Sequence, residues 1–164
     1  MNKVFLGGTC NESNWRNELI PLLKIEYFNP VLKDWTEDCQ KEEERQKKIC
    51  NYQLYVITPR MSGVFSIAEV VDSSNKNPQG TIFCVLDEDR GYLPCTIMIF
   101  DYRQIKSLKA VKNLVKNNGA KVCNSLAEVA EFLNTAGTAG IKACGDMSKD
   151  TCAAHEAHES LAHG

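Results

Sequence analysis

An α/β domain with a mainly parallel sheet covered by helices on both faces is predicted by three observations. Short apolar runs of strand length alternate along the chain with longer segments of helical period. The most apolar run, Thr81-Ile82-Phe83-Cys84-Val85-Leu86, shows no inside–outside alternation and so reads as a strand buried on both faces, central in the sheet. The chain has 164 residues, 43% hydrophobic and 24% charged, enough for one domain to bury a core without metal or disulfide staples.

The elements follow in order. Lys3-Val4-Phe5-Leu6 is a short strand that runs into Gly7-Gly8. Residues 14–24 place Trp15, Leu19, Ile20, Leu22 and Leu23 at helical spacing, with a kink or restart expected at Pro21. Glu26-Tyr27-Phe28-Asn29 is a second strand, stopped by Pro30. Residues 36–50 form a charged helix with acids early and Lys47 and Lys48 late, which suits the helix dipole. Tyr52-Gln53-Leu54-Tyr55-Val56-Ile57 is the third strand, ended by Thr58-Pro59, and a helix over about 63–73 carries Glu69. After the fourth strand, residues 96–100 read as an extended piece and residues 103–117 as an amphipathic helix that stops at Gly119. Lys121-Val122-Cys123 is the fifth strand, and Ser125 with Glu128 forms an S-x-x-E capping box for a last helix through Leu133. Five strands in this order predict a flavodoxin-like or Rossmann-like three-layer domain over residues 1–135. Residues 136–164, rich in Ala, Gly and Thr, read as a C-terminal tail.

Several function classes drop out. A net charge of -2 gives no reason to expect a nucleic-acid polymer or an anionic membrane as partner. No apolar run approaches the roughly 20 residues needed to cross a bilayer, and Met1-Asn2-Lys3 does not open a signal peptide. The eight cysteines are scattered without a CxxC pair, so reduced thiols in a cytoplasmic protein are expected. All three histidines, His155, His158 and His163, lie in the last ten residues. Chemistry in the domain therefore falls to carboxylates, hydroxyls and backbone groups. Cys152-x-x-His155-x-x-His158 lacks a fourth ligand, so no metal site and no cofactor are expected.

In parallel α/β sheets ligands bind at the carboxyl ends of the strands. Three loops lie there by prediction. The first contains Gly7, Gly8, Thr9, Asn14 and Arg16, glycines that let backbone approach a ligand and a helix start that favours anions. It is neither GxGxxG nor a P-loop. Arg16 has two readings, an anion ligand or a solvent-facing helix residue. The second loop contains Asn29, Asp34 and Trp35; the indole either stacks on a nucleobase or caps the core. The third contains Ser62, Gly63, Ser66 and Glu69. Glu69 sits among apolar neighbours, on a helix expected to be buried over much of its circumference, where an ionised carboxylate is costly unless paired or used. It has a plain alternative: Ser66-Ile67-Ala68-Glu69 also fits a capping box.

Together, Val4-Phe5-Leu6-Gly7-Gly8-Thr9, Phe28-Asn29-Pro30, Asp34-Trp35 and Ser62-Gly63-Val64-Phe65-Ser66-Ile67-Ala68-Glu69-Val70 resemble the nucleoside 2-deoxyribosyltransferase-like family over about residues 3–133. The resemblance implies a flavodoxin-like fold, a nucleoside or nucleotide as small-molecule partner, and a homo-oligomer. It also implies that Glu69 attacks the anomeric carbon, expels the base and forms a covalent glycosyl-enzyme. Asp34 and Glu43 are then the candidates to protonate the leaving base. The chain departs from the family at three polar positions. Phe5 stands where a tyrosine is common, Asn51 where an aspartate is usual, and Met61-Ser62-Gly63 where an aspartate precedes the nucleophile. Transfer to a second base, hydrolysis of the N-glycosidic bond and non-catalytic nucleotide binding all remain open.

Overall fold

The computed structural model describes residues 2–31, 36–92 and 96–145, with side chains as far as residue 136. In chain order the elements are β1 (Lys3–Gly8), α1 (Trp15–Leu19), β2 (Glu26–Phe28), α2 (Glu37–Ile49), β3 (Tyr52–Ile57), α3 (Phe65–Lys76) and β4 (Thr81–Val85). Then come a two-residue hairpin pair, β5 (Glu88–Asp89) and β6 (Met98–Ile99), followed by α4 (Tyr102–Asn117), β7 (Lys121–Cys123) and α5 (Leu126–Gly145). The main sheet has the order β2-β1-β3-β4-β7 with every pairing parallel, the flavodoxin-like arrangement. The connections leave β1 and β3 toward opposite edges, so the switch point of the sheet lies between these two strands.

Alternation along the strands builds two cores. Val4, Leu6, Leu54, Val56, Ile82 and Cys84 face Trp15, Leu19, Val129 and Leu133 of α1 and α5. Tyr55, Ile57, Phe83 and Val85 face Val70 of α3 and Leu108 and Val115 of α4. With both faces covered, β4 is buried at all five positions. It is not the middle strand, however. That place belongs to β3, because β7 alone lies beyond β4. Composition revealed burial, and it could not reveal the order of strands.

The helix starts follow local chemistry. Thr36 caps α2 by accepting from Cys39 N, and Asp101 with Gln104 closes a full capping box on α4. At α5 the Ser125 hydroxyl accepts from Glu128 N, while the Glu128 carboxylate reaches Asn124 N, one residue before the expected partner. Pro21 does not kink one helix; α1 ends at Leu19 and Ile20–Leu22 tightens into a 3₁₀ turn. The helical backbone of α5 continues past the change of composition at residue 135, as far as Gly145. Among the described residues no helix is long and apolar enough to cross a membrane.

Gly8 holds the end of β1 in a way no other residue can. Its φ is +110°, and a Cβ there would lie 2.0 Å from the Val56 carbonyl oxygen. Gly8→Ala is expected to cost about 2–3 kcal/mol, read as a lowered urea midpoint, because backbone strain adds to a clash with the neighbouring strand.

Cys10, Cys50, Cys84 and Cys123 carry free thiols. Cys84 and Cys123 stand opposite each other on β4 and β7. Burial pushes the Cys84 thiol up to about 12 and raises that of Cys123 as well. Alkylation of the native protein near pH 8 is expected to mark exposed Cys10 first and to reach Cys84 and Cys123 only after denaturation. Peptide mass mapping checks this.

Candidate functional site

The ends of β2, β1 and β3 are neighbours in the sheet, so the three predicted loops begin side by side. Glu69 lies one turn into α3, on the face of the sheet that carries Phe5 and Tyr55. Its carboxylate accepts from Lys47 Nζ at 2.5 Å, and Lys47 donates in turn to Glu43 at 2.9 Å. The side chains of Lys47 and Glu69 are 22% and 17% exposed, a half-sheltered position at the rim of the fold. The ammonium also lies 5.1 Å from the centre of the Phe5 ring. Burial disfavours the charge on Lys47, but hydrogen bonds to Glu69 and Glu43 and their charges outweigh it, and its pKa is raised. The contribution of this pairing is complete at neutral pH and is lost only above the ordinary lysine range.

This geometry sets aside the capping-box reading of Glu69. The α3 N-cap is Val64, with no side-chain cap hydrogen bond, and Ser66 lies inside the helix. Glu69 pairs with Lys47 from another helix instead of serving a capping box. Nor is α3 buried around its circumference. Among its residues only Val70 and Ser74 are buried, and Phe65 is 74% exposed. Val64 and Phe65 at the start of α3 face solvent, whereas Ile67, Val70 and Val71 pack on the core below.

A second network stands beneath. Tyr55 Oη shares a 2.9 Å hydrogen bond with Ser73 Oγ, Ser73 donates to Gln53 Oε1, and Gln53 Nε2 donates to the Lys47 carbonyl. Burial, the largest cause, and the charge of Glu69 raise the Tyr55 pKa, although Ser73 opposes the rise. The side chain on β3 below Glu69 is therefore a neutral phenol. A Cβ on Gly7 would press on the Tyr55 and Phe5 rings at 3.0–3.1 Å, so glycine there lets the two rings close over β1.

The remaining predicted residues fall into groups. Gly7, Gly8 and Thr9 end β1, and the Thr9 hydroxyl accepts from Thr58 N at 3.0 Å, tying the first loop to the third. Asn11 Nδ2 donates to Ser62 Oγ at 2.5 Å, a second tie between the same loops. No atom beyond its chain neighbours comes within 4 Å of a Cβ built on Gly63, so that loop borders open space. Asn29 turns inward on its own loop, accepting from Val31 N, and Asn14 bonds Glu18 and Asn17 within α1. Arg16 is buried, contrary to a solvent-facing reading. Its guanidinium donates to the carbonyls of Leu6 and Thr9 and stacks 4.2 Å from the Trp15 ring, bracing the end of β1. Asp34 and Trp35 lie outside the described residues, as do Cys152, His155 and His158.

Sequence reasoning missed Lys47, Arg60 and Asp89. A signal for Lys47 existed in the i,i+4 spacing of Glu43 and Lys47 on α2. Asp89 offered none. It is a buried carboxylate that accepts from the Ser13 hydroxyl, from Gly91 N at 2.7 Å and from Arg60 Nε at 3.3 Å. Burial opposes its charge, but hydrogen bonds from Ser13, Thr58 and Gly91 and the Arg60 charge prevail, and its pKa is lowered.

Curated proteins include no match to this chain. The family model described as nucleoside 2-deoxyribosyltransferase like matches residues 1–88, from β1 through Glu88, and so takes in Glu43, Lys47, the three loops and Glu69. The match covers more than half of the 164 residues, and with the strand order it leads to one conclusion: the chain belongs to the nucleoside 2-deoxyribosyltransferase-like family.

Proposed function

We propose that this protein acts on a nucleoside or nucleotide at the N-glycosidic bond, as transferase or hydrolase, with Glu69 as nucleophile and residues 1–135 as the working unit. The observation that carries this reading is the position of the Glu69 carboxylate. It serves no capping box, and Lys47 holds it on the Phe5 and Tyr55 face of the sheet, on the helix that follows the open loop at Gly63. A carboxylate oxygen attacks the anomeric carbon, the C–N bond breaks, and its electron pair leaves with the base, which takes up a proton. Attack by water or a second base on the glycosyl ester releases the carboxylate. Glu43 and Asp34 are the proposed proton donors, and Lys47 places an ammonium beside Glu43. Where the family has a tyrosine hydroxyl to orient the glutamate, this chain has Phe5 beneath Lys47, and the lysine supplies the polar contact instead.

One observation favours a second reading, a non-catalytic module that holds a nucleotide. Lys47 neutralises much of the charge a nucleophile uses. The test is to incubate the protein with nucleosides, nucleotides and NAD, to follow free base by chromatography, and to seek a glycosyl adduct on the α3 peptide by mass spectrometry. Base release with an adduct on Glu69 supports the enzyme. Saturable binding without release supports the module, and the absence of both overturns the two readings together.

A further inference from the structure

A cleft of about 590 Å³ opens between the second half of α4 and β7, lined by Lys109, Lys112, Asn113, Lys116, Lys121 and Asn124 over a floor of Ala120 and Val122. It is remote from Glu69, since β7 and β2 are the opposite edges of the sheet and the Glu69 site lies over β1 and β3. We propose that this cleft binds a small anion carrying several phosphates.

The arrangement itself argues for a ligand. Lys109, Lys112, Asn113 and Lys116 fall at i, i+3, i+4 and i+7, so one face of α4 presents three ammonium groups. Like charges so placed repel, and a helix gains nothing from them in isolation. Among the described residues none of these three lysines takes part in an ion pair, and no acid lines the cleft. The nearby carboxylate of Glu128 is engaged, accepting from Asn124 N. This concentration of positive charge stands on a chain whose net charge is -2. It is a local feature, not the expression of a basic protein.

Size and chemistry narrow the class. The volume suits a single small molecule. Lys109 and Lys116 are separated by about 10 Å along the helix axis, longer than one phosphate, which favours a chain of them. Lys112 is held in place by its 2.9 Å hydrogen bond to Asn124 Oδ1, whereas the Lys121 ammonium lies on the other face of the sheet, 5.4 Å from the centre of the Phe132 ring. One of the three cations of α4 is thus pre-positioned, while exposed Lys109 and Lys116 are left to close on a ligand. No aromatic side chain lines the cleft to stack a base. Recognition therefore rests on the phosphates.

Inorganic tripolyphosphate is the probe, titrated into the full chain by calorimetry at low and at physiological salt, with amide shifts mapped by NMR. Binding of one equivalent, weakened by salt and centred on residues 109–124, is expected. Lys109→Glu with Lys116→Glu, both exposed, should lower the affinity by about tenfold or more and leave the thermal midpoint and any base-release activity unchanged. ATP competing for the same cleft as tripolyphosphate supports a nucleotide source for the same phosphate chain. Absence of saturable binding by the unmodified protein, equal binding by the double variant, or preference for duplex DNA over tripolyphosphate would each overturn the proposal.

Discussion

Glu69→Gln is expected to lower base release by roughly 10³-fold or more, the scale on which removal of a covalent nucleophile acts, while the protein stays folded. Glutamine keeps the shape of the side chain and loses the charge that attacks the anomeric carbon. Lys47 retains Glu43 as a partner at 2.9 Å, so no ammonium is left stranded. The lost pairing is partly exposed and contributes on the order of 1 kcal/mol. The result to watch is the separation of the two effects: turnover collapses while the unfolding midpoint moves little. A variant that releases base at the original rate would remove Glu69 from the mechanism. A variant that unfolds would send the test to Glu69→Asp, which keeps the charge but draws it back by one methylene.

Asp89→Ala is the substitution expected to cost most in stability, about 3–5 kcal/mol, because it strands a buried partner charge. The side chains of Arg60 and Asp89 are 8% and 4% exposed. Arg60 keeps its bonds to the Thr96 carbonyl and hydroxyl, but its charge loses the carboxylate beside it, and Glu12, 3.8 Å away and exposed, is a weak substitute. Ser13 and the Gly91 N–H lose their acceptor in the same step. The acid limb carries a second signature. Since the folded-state pKa of Asp89 is lowered, its contribution is full above the unfolded value of about 3.9 and is lost as pH falls through the lower folded value. Denaturant midpoints measured from pH 7 downward should fall in the unmodified protein and fall less in the variant. A loss below about 1 kcal/mol at pH 7 would show that water replaces the carboxylate.

The fold was legible because its signals are local. The third and fifth strands begin and end where apolar runs meet Thr58-Pro59 and Asn124, and α4 shows its period throughout. Glu69 was legible as a position, since the loop that follows β3 could be located from sequence. Its surroundings were not. Lys47 is 22 residues away, and the ion pair depends on how α2 and α3 lie together on one face. Asp89 meets Ser13 across 76 residues, through loops whose composition looks ordinary. Apolar letters around Glu69 suggested burial, whereas a helix beginning at Phe65 turns Val64 and Phe65 outward. The place of β3 at the middle of the sheet follows from crossovers that no single window of sequence contains.

That strand order also sets a timetable for the chain. β1 is made first, yet both of its neighbours come later, and the closer fit is with β3, whose Val56 carbonyl lies against Gly8 and bonds Thr9 N. Until Tyr52–Ile57 leaves the ribosome, the apolar stretch Val4–Leu6 has no second partner. Parallel pairing of this kind demands closure of long loops before any contact is gained, which slows folding and prolongs exposure of sticky edges. The amino-terminal strand is thus the segment of this protein most in need of protection during synthesis.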